Sequence, residues 1–416
     1  MEKYVINGGR RLSGKLHVES AKNSVLPILA ASILTDEEVV IKDCPKILDV
    51  LNMIRILVSL GVKTRFCDGD LVVNSSGLNG FSVSNALGSQ LRSSVFMMGA
   101  LLSRCKKAEL AYPGGCEIGL RPIDIHIRGL KNLGVNIEDT GGEIICSVEN
   151  VSGGEVYLDF PSVGATENIM LASVFAKGKI EIRNAAKEPE IVDLMRFLNA
   201  MGAKVYGAGT STILIEGVEK LHGAVFKPTS DRIEAGTYLI ATAINGGEVE
   251  LDNCNVKNIS SLVHKLCDNA CKIIIKNDII YLKSGGVRKA FSFATGPYPC
   301  FPTDLQAPLM SLATVSDGVS MVTENVFEMR YRHVQELIKM GADITVSGRT
   351  AIVKGVKRLT GATVRAQDLR GGAALVLAGL NAEGKTVVED VVHIQRGYLD
   401  MDKKLRSLGA DIKKKN

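Results

Sequence analysis

Apolar residues recur along the chain in two alternating rhythms. The first is a helical spacing that runs to Leu or Met, stops at a glycine followed by Val or Ala, and passes into a strand-like alternation. It reads SLGVKT at Gly61, NLGVNI at Gly134, AMGAKV at Gly202, KMGADI at Gly341 and SLGADI at Gly409. Each glycine is expected to adopt the left-handed conformation that closes an amphipathic helix and turns the chain into a strand. A degenerate copy, NACKII, has Ala270 where Gly would stand, and a different helix end is expected there. The six landmarks lie about 70 residues apart along the whole chain.

The second rhythm lies upstream within each unit. A strand-like segment meets a polar stretch, then a helix rich in small apolar residues, then Gly or Asp and another strand. LHVESAKNSVLPILAASIL, VYLDFPSVGATENIMLASVFAKGKIEI, AVFKPTSDRIEAGTYLIATAINGGEVEL and TVRAQDLRGGAALVLAGLNAEGKTVVE are examples. Ala, Gly and Ser on these helices permit close packing, so they are expected to be buried, with the amphipathic helices covering them. The unit is therefore β-α-β-α-β-β, repeated six times. One unit buries too little to stand alone, so two pseudo-threefold domains of three units, with a cleft between them, are the simplest assembly. The fold class is mixed α and β, with buried helices.

Composition removes several function classes. The 416 residues are 46% hydrophobic and 23% charged, as in ordinary soluble domains. Aromatic residues make up only 5% and Trp is absent, which argues against base stacking on nucleic acid. The net charge of +5 is dispersed, apart from Lys413–Lys415. Nine cysteines without a C-x-x-C pair suggest reduced thiols in a cytosol. The N-terminus carries no signal-like apolar region, and the longest apolar stretches, such as 25–34, are too short for a bilayer. No His or Cys spacing suits zinc, and no P-loop, dinucleotide fingerprint or G-x-S-x-G elbow occurs. An NTPase, a zinc hydrolase and a nicotinamide dehydrogenase therefore lose support.

Candidate chemistry gathers in a few places. AYPGGCEIGLRPIDIHIR puts Cys116 in a glycine-rich loop with Arg121 close behind. Taken alone, Cys116 is either an ordinary buried thiol or an exposed group on a mobile loop. Lys22 and Asn23 stand at a strand-to-helix junction, a natural anion site. Arg92, Arg330, Arg370 and Arg396 lie at junctions or in loops and suit carboxylate or phosphate groups. Asp304, Asp231, Glu188 and Glu190 are the carboxylate candidates, with helix capping the plainer role for the two Asp.

Ten segments in order then carry a resemblance. SAKNSVLPILAASIL, LRSSVFMMGALL, PGGCEIGLRPIDIHI, PSVGATENIM, NAAKEPEIVDL, SDRIEAGTYL, FPTDLQAP, ENVFEMRYRHVQEL, DLRGGAALVLAG and HIQRGY resemble the UDP-N-acetylglucosamine 1-carboxyvinyltransferases, the enolpyruvyl transferases that begin peptidoglycan synthesis. The resemblance spans essentially the full length. It implies the enolpyruvyl transferase fold, an inverse α/β barrel in each of two domains. The implied domains are residues 1–20 with 230–416, and residues 21–229 carrying the Cys116 lid, with Asp231 and Arg232 at the hinge.

The same resemblance implies roles. Cys116 protonates C3 of phosphoenolpyruvate, Asp304 is the base near the sugar 3′-hydroxyl, and Lys22 holds phosphoenolpyruvate with Asn23 beside it. Arg121, Arg330, Arg370 and Arg396 surround its phosphate and carboxylate. Arg92, Arg121, Pro122, Ile123, Asp124, Ile125, Ser162, Val163, Gly164 and Val326 match contacts to UDP-N-acetylglucosamine. The implied partners are these two small molecules, with no nucleic acid and no membrane insertion, in a cytoplasmic monomer. The resemblance implies no metal and no cofactor. Departures from the pattern are Ser20 for Gly, Phe96 for Trp, Phe160 for a basic residue, and an extra Cys300, read as packing. The alternatives are a shikimate 3-phosphate transferase, which lacks the PGGC loop, and a non-catalytic UDP-sugar-binding paralogue.

Overall fold

The structure, a computed structural model, describes residues 2–114 and 123–415. These form two compact units, the first of residues 2–19 and 230–415, the second of residues 20–114 and 123–229. Cys116, Arg121 and Pro122 lie outside the described residues.

Each unit has three four-stranded sheets on the outside and three buried helices inside, an inverse α/β barrel. In each sheet one parallel pair flanks a buried helix, and antiparallel pairing adds the other two strands, as in Ser152–Tyr157, Lys177–Arg183, Thr212–Glu216 and Lys204–Tyr206. The β-α-β-α-β-β unit is present in space, yet three sheets borrow a strand from far along the chain. Leu12–His17 pairs with Gly247–Asp252, Lys3–Asn7 lies between Lys385–Glu389 and Asp411–Lys415, and Val225–Phe226 completes the sheet of Val39–Ile41.

The buried helices of the first unit are Arg232–Asn245, Gln306–Ala313 and Leu369–Asn381, buried on every side along nearly their whole length. Asp231 starts the first by accepting the N–H groups of Ile233 and Glu234; Asp368 starts the third through Arg370 and Gly371. Such caps contribute about 1 kcal/mol each. The second unit has Lys22–Ala31, Phe96–Cys105 and Val163–Ser173, the last capped by Ser162. A Cβ on Gly99 would stand 2.3 Å from the Asn168 carbonyl oxygen, so only glycine lets the last two helices approach this closely. Asn168 fastens the contact, accepting the Gly99 N–H at 2.8 Å and donating to the Val95 carbonyl at 2.8 Å.

All five signature glycines have positive φ, from +85° at Gly134 to +98° at Gly202. Ala270 differs from expectation. It takes φ +66° and closes its helix in the same left-handed way. Leu262 and Leu266 are the buried side chains of helix Ser260–Asp268, and the Ala methyl group carries a steric cost where the helix ends. No helix among the described residues is long and apolar enough to cross a membrane.

Candidate active site

In each unit several of the residues singled out from sequence lie where the buried helices begin: Asp231, Asp304 and Arg370 in the first, and Lys22, Asn23, Ser162, Val163 and Gly164 in the second. Peptide dipoles leave partial positive charge and unpaired N–H groups at such ends, which favours anions.

The first unit places Asp304 in the turn Thr303–Leu305, just before helix Gln306–Ala313. Asp304 is not a cap, unlike Asp231, because its carboxylate is drawn to two guanidiniums. Oδ1 accepts from Arg330 at 2.6 Å and Oδ2 from Arg370 at 3.0 Å. Both arginines are buried, at 4% and 3% exposure, and Asp304 is a carboxylate that bonds to both. Arg330 Nε and Arg370 Nε also make no hydrogen bond among the described residues. Buried donors of this kind are costly unless a ligand takes them. Burial works against both charges, but Asp304, Asp368 and Glu324 together outweigh it at Arg330, and Tyr398, Asp304 and Asp231 do so at Arg370, so both stay charged. Arg370 lies 5.3 Å from the Tyr398 ring, and Arg330 lies 5.5 Å from that of Phe327.

His333 steadies the arrangement from below. Its Nδ1 lies 3.1 Å from the Arg330 carbonyl oxygen, and burial pushes its pKa down to about 4, so the ring is neutral and donates there. Arg396 follows the short helix Val392–Gln395, half-buried and two residues before Tyr398. Val326 gives its N–H to Glu324 at 2.8 Å.

The second unit sets Lys22 at the first position of its helix, with Nζ 3.1 Å from Asp49 Oδ2. Asn23 is half-buried beside it. Arg92 donates to the Pro113 carbonyl at 3.3 Å, so it grips the stem that leads to Cys116. Ile123 is buried; Asp124 opens helix Asp124–Asn132 and pairs with Arg128 at 2.9 Å, with Ile125 half-buried after it. Ser162 is a cap, and Val163 and Gly164 form the first turn that it holds. Glu188 precedes helix Pro189–Ala200, and Glu190 is buried in its first turn. Among the described residues no group of three or more His, Cys, Asp or Glu is placed to hold a metal ion.

Residues 6–405 match the family described as EPSP synthase (3-phosphoshikimate 1-carboxyvinyltransferase). The UDP-N-acetylglucosamine 1-carboxyvinyltransferase 2 of Caldanaerobacter subterraneus subsp. tengcongensis is 51% identical over 413 residues, 99% of each chain. The UDP-N-acetylglucosamine 1-carboxyvinyltransferase of Finegoldia magna is 47% identical over 418 residues, covering 100% of this chain and 99% of its own. This chain belongs to the UDP-N-acetylglucosamine 1-carboxyvinyltransferase family. Its fold is that of the enolpyruvyl transferase NikO from Streptomyces tendae (TM-score 0.88, 23% identity, 100% and 99% covered). It is also that of an EPSP synthase from Acinetobacter baumannii (TM-score 0.78, 17% identity, 100% of both).

Against this carboxyvinyltransferase background, sequence reasoning missed Asp49, His333, Asp368 and Tyr398. Asp49 was hidden because it lies in the first turn of an ordinary amphipathic helix, Leu48–Ser59. Asp368 alone had a signal, as an acid directly before a small-residue helix. The packing role expected of Cys300 is corrected: it lies exposed on a turn, where its N–H bonds to the Pro297 carbonyl at 3.0 Å. A turn held by backbone bonds leaves the thiol outside the core.

Proposed function

We propose that the chain transfers the 1-carboxyvinyl group of phosphoenolpyruvate to the 3′-hydroxyl of UDP-N-acetylglucosamine and releases phosphate. The observation that carries this reading is the Asp304 carboxylate shared by Arg330 and Arg370, two buried guanidiniums with donors to spare. A substrate bearing both a carboxylate and a phosphate supplies acceptors for those unused guanidinium donors. An anion competing for the guanidiniums would also release an Asp304 oxygen to meet the sugar hydroxyl.

The chemistry then runs by addition and elimination. Cys116 gives its proton to C3, and the 3′ oxygen bonds to C2 while Asp304 takes the hydroxyl proton. The tetrahedral adduct loses phosphate from C2 and a proton from C3, which restores the vinyl group. Lys22, Arg121 and Arg396 would hold the phosphoenolpyruvate anion. Asn23, Arg92, Pro122, Ile123, Asp124, Ile125, Ser162, Val163, Gly164 and Val326 would line the nucleotide-sugar site. We propose a monomer, and a cytoplasmic location, the latter supported by the eight described cysteines, all free.

The test is phosphate release from phosphoenolpyruvate in the presence of each acceptor. Release with UDP-N-acetylglucosamine and none with shikimate 3-phosphate is expected. The opposite preference would overturn the acceptor assignment. Binding of UDP-N-acetylglucosamine without any release would instead identify a non-catalytic paralogue.

A further inference from the structure

Four of the six repeats end the strand after the buried helix in the same way, with an Asn or Asp in the left-handed region. These are Asp43 (φ +49°), Asn184 (+55°), Asn253 (+51°) and Asp390 (+57°). Asn184, Asn253 and Asp390 follow their strands directly, and Asp43 comes one residue later. Two repeats depart from the pattern. In one, Tyr112 follows strand Lys107–Ala111 and leads to the segment holding Cys116. In the other, Glu324 follows strand Val319–Thr323 and leads to Val326 and Arg330. Neither Tyr112 nor Glu324 takes positive φ.

Glu324 is fully buried, and its carboxylate is well supplied with donors. Oε1 accepts from Thr295 Oγ1 at 2.8 Å, from the Val326 N–H at 2.8 Å and from the Phe327 N–H at 3.1 Å. Oε2 accepts from Thr303 Oγ1 at 2.9 Å. Thr303 is the neighbour of Asp304 in the same turn, and Phe327 packs against Arg330. Arg330 returns to Asp304, closing a ring that runs Glu324, Thr303–Asp304, Arg330, Phe327 and back. The Thr295 hydroxyl also accepts the Asn325 N–H at 3.0 Å, which fixes the turn against the neighbouring strand.

Burying a carboxylate is expensive, and an apolar residue would fill this space at less cost. What the carboxylate provides is geometry: several donors from three chain segments meet on one group. We propose that Glu324 is a positioning residue for Asp304, holding it and Arg330 in register with the Val326 segment. It touches no reacting atom. The inference rests on reading Asp304 as the base.

The test compares Glu324→Gln, Thr303→Val and Asp304→Asn by thermal midpoint, by kcat and KM for both substrates, and by calorimetric binding of UDP-N-acetylglucosamine. Glu324→Gln keeps the shape and one acceptor oxygen, so the fold and UDP-N-acetylglucosamine affinity should persist. Its kcat should fall about 10- to 100-fold, the cost of a misplacement near 1 Å. Thr303→Val removes a single bond and should lower kcat in the same direction by a smaller factor. If Glu324→Gln shifts only the thermal midpoint, with kcat per folded molecule at the wild-type value, the positioning role is wrong. If Glu324→Gln does not fold, wild-type kcat in Thr303→Val overturns the role in its place. Wild-type turnover by Asp304→Asn would remove the base assignment itself. An inactive Asp304→Asn beside an unimpaired Glu324→Gln would remove this inference alone.

Discussion

At the helix ends of the first unit, the buried charges Arg330 and Arg370 each meet an oxygen of Asp304. In the second unit, Glu167 on helix Val163–Ser173 is buried, and neither of its oxygens is hydrogen-bonded among the described residues. Burial, then Glu190 and Glu188, raise its pKa well above the ordinary carboxylate range, which favours the neutral acid. Asp193, on the helix behind, is pushed up to about 6 by burial, although it accepts the Thr229 N–H at 2.7 Å. One scaffold thus handles buried charge in two ways. The first unit keeps its cations by pairing them and remains ready for an anion. Glu167 and Asp193 of the second lower their cost by binding protons. Burial pushes Glu234 of the first unit up to about 7 in the same direction despite its pairing with Lys404, so buried acids of both units tie stability to pH.

Removing one cation tests the first half of this comparison and should have the largest effect. Arg370→Met leaves Asp304 paired with Arg330 and preserves much of the buried volume. The fold should survive while kcat/KM for phosphoenolpyruvate drops by about 10²- to 10³-fold. Steady-state phosphate release, read beside circular dichroism, checks both halves. A well-folded variant with wild-type kcat/KM would mean that the cation pair serves structure alone.

The acids of the second unit test the other half. Asp193 has a folded-state pKa above its unfolded value of 3.8, so the folded protein binds more protons between those two values. Its favourable contribution is complete below pH 3.8 and is lost as pH rises through about 6. Asp193→Asn removes that titration. The mutant should therefore gain on wild type by up to roughly 2–3 kcal/mol between pH 4 and pH 7. Taking the difference cancels the carboxylates common to both proteins. Urea midpoints of the two proteins across this range would show it, and a pH-independent difference would contradict the assignment.

The contrast between the units was only partly legible in the chain. The repeat could be read because a helix that ends on positive φ nearly always needs glycine, and five of six stops have it. The buried helices could be read from their small apolar composition. Strand exchange could not, since Val225–Phe226 pairs with Val40–Ile41 by tertiary packing that no local pattern encodes. Asp231 and Asp304 look alike in sequence, each an acid before an apolar helix. Only the positions of Arg330 and Arg370 make one a cap and the other a bridge. Lys22 was legible at its junction, but its partner Asp49 was not. The burial of Glu167 was not legible either, because it sits in ENIM much as a solvated residue would.

The smallest effect concerns the one repeat that departs from the glycine rule. Ala270 holds φ +66° where Gly341, in the next repeat, holds +88°. A methyl group in the left-handed region is strained, whereas glycine adopts it freely and loses some of that benefit through its flexible unfolded state. Ala270→Gly should therefore stabilise the first unit by about 1 kcal/mol, and Gly341→Ala should destabilise it by a similar amount. Neither residue touches Asp304 or its arginines, so turnover should not change in either variant. Thermal midpoints moving in opposite directions would show that the fourth repeat ends its helix by the same rule as the others. A loss of stability in Ala270→Gly would mean instead that the Ala methyl contributes packing worth more than the strain it causes.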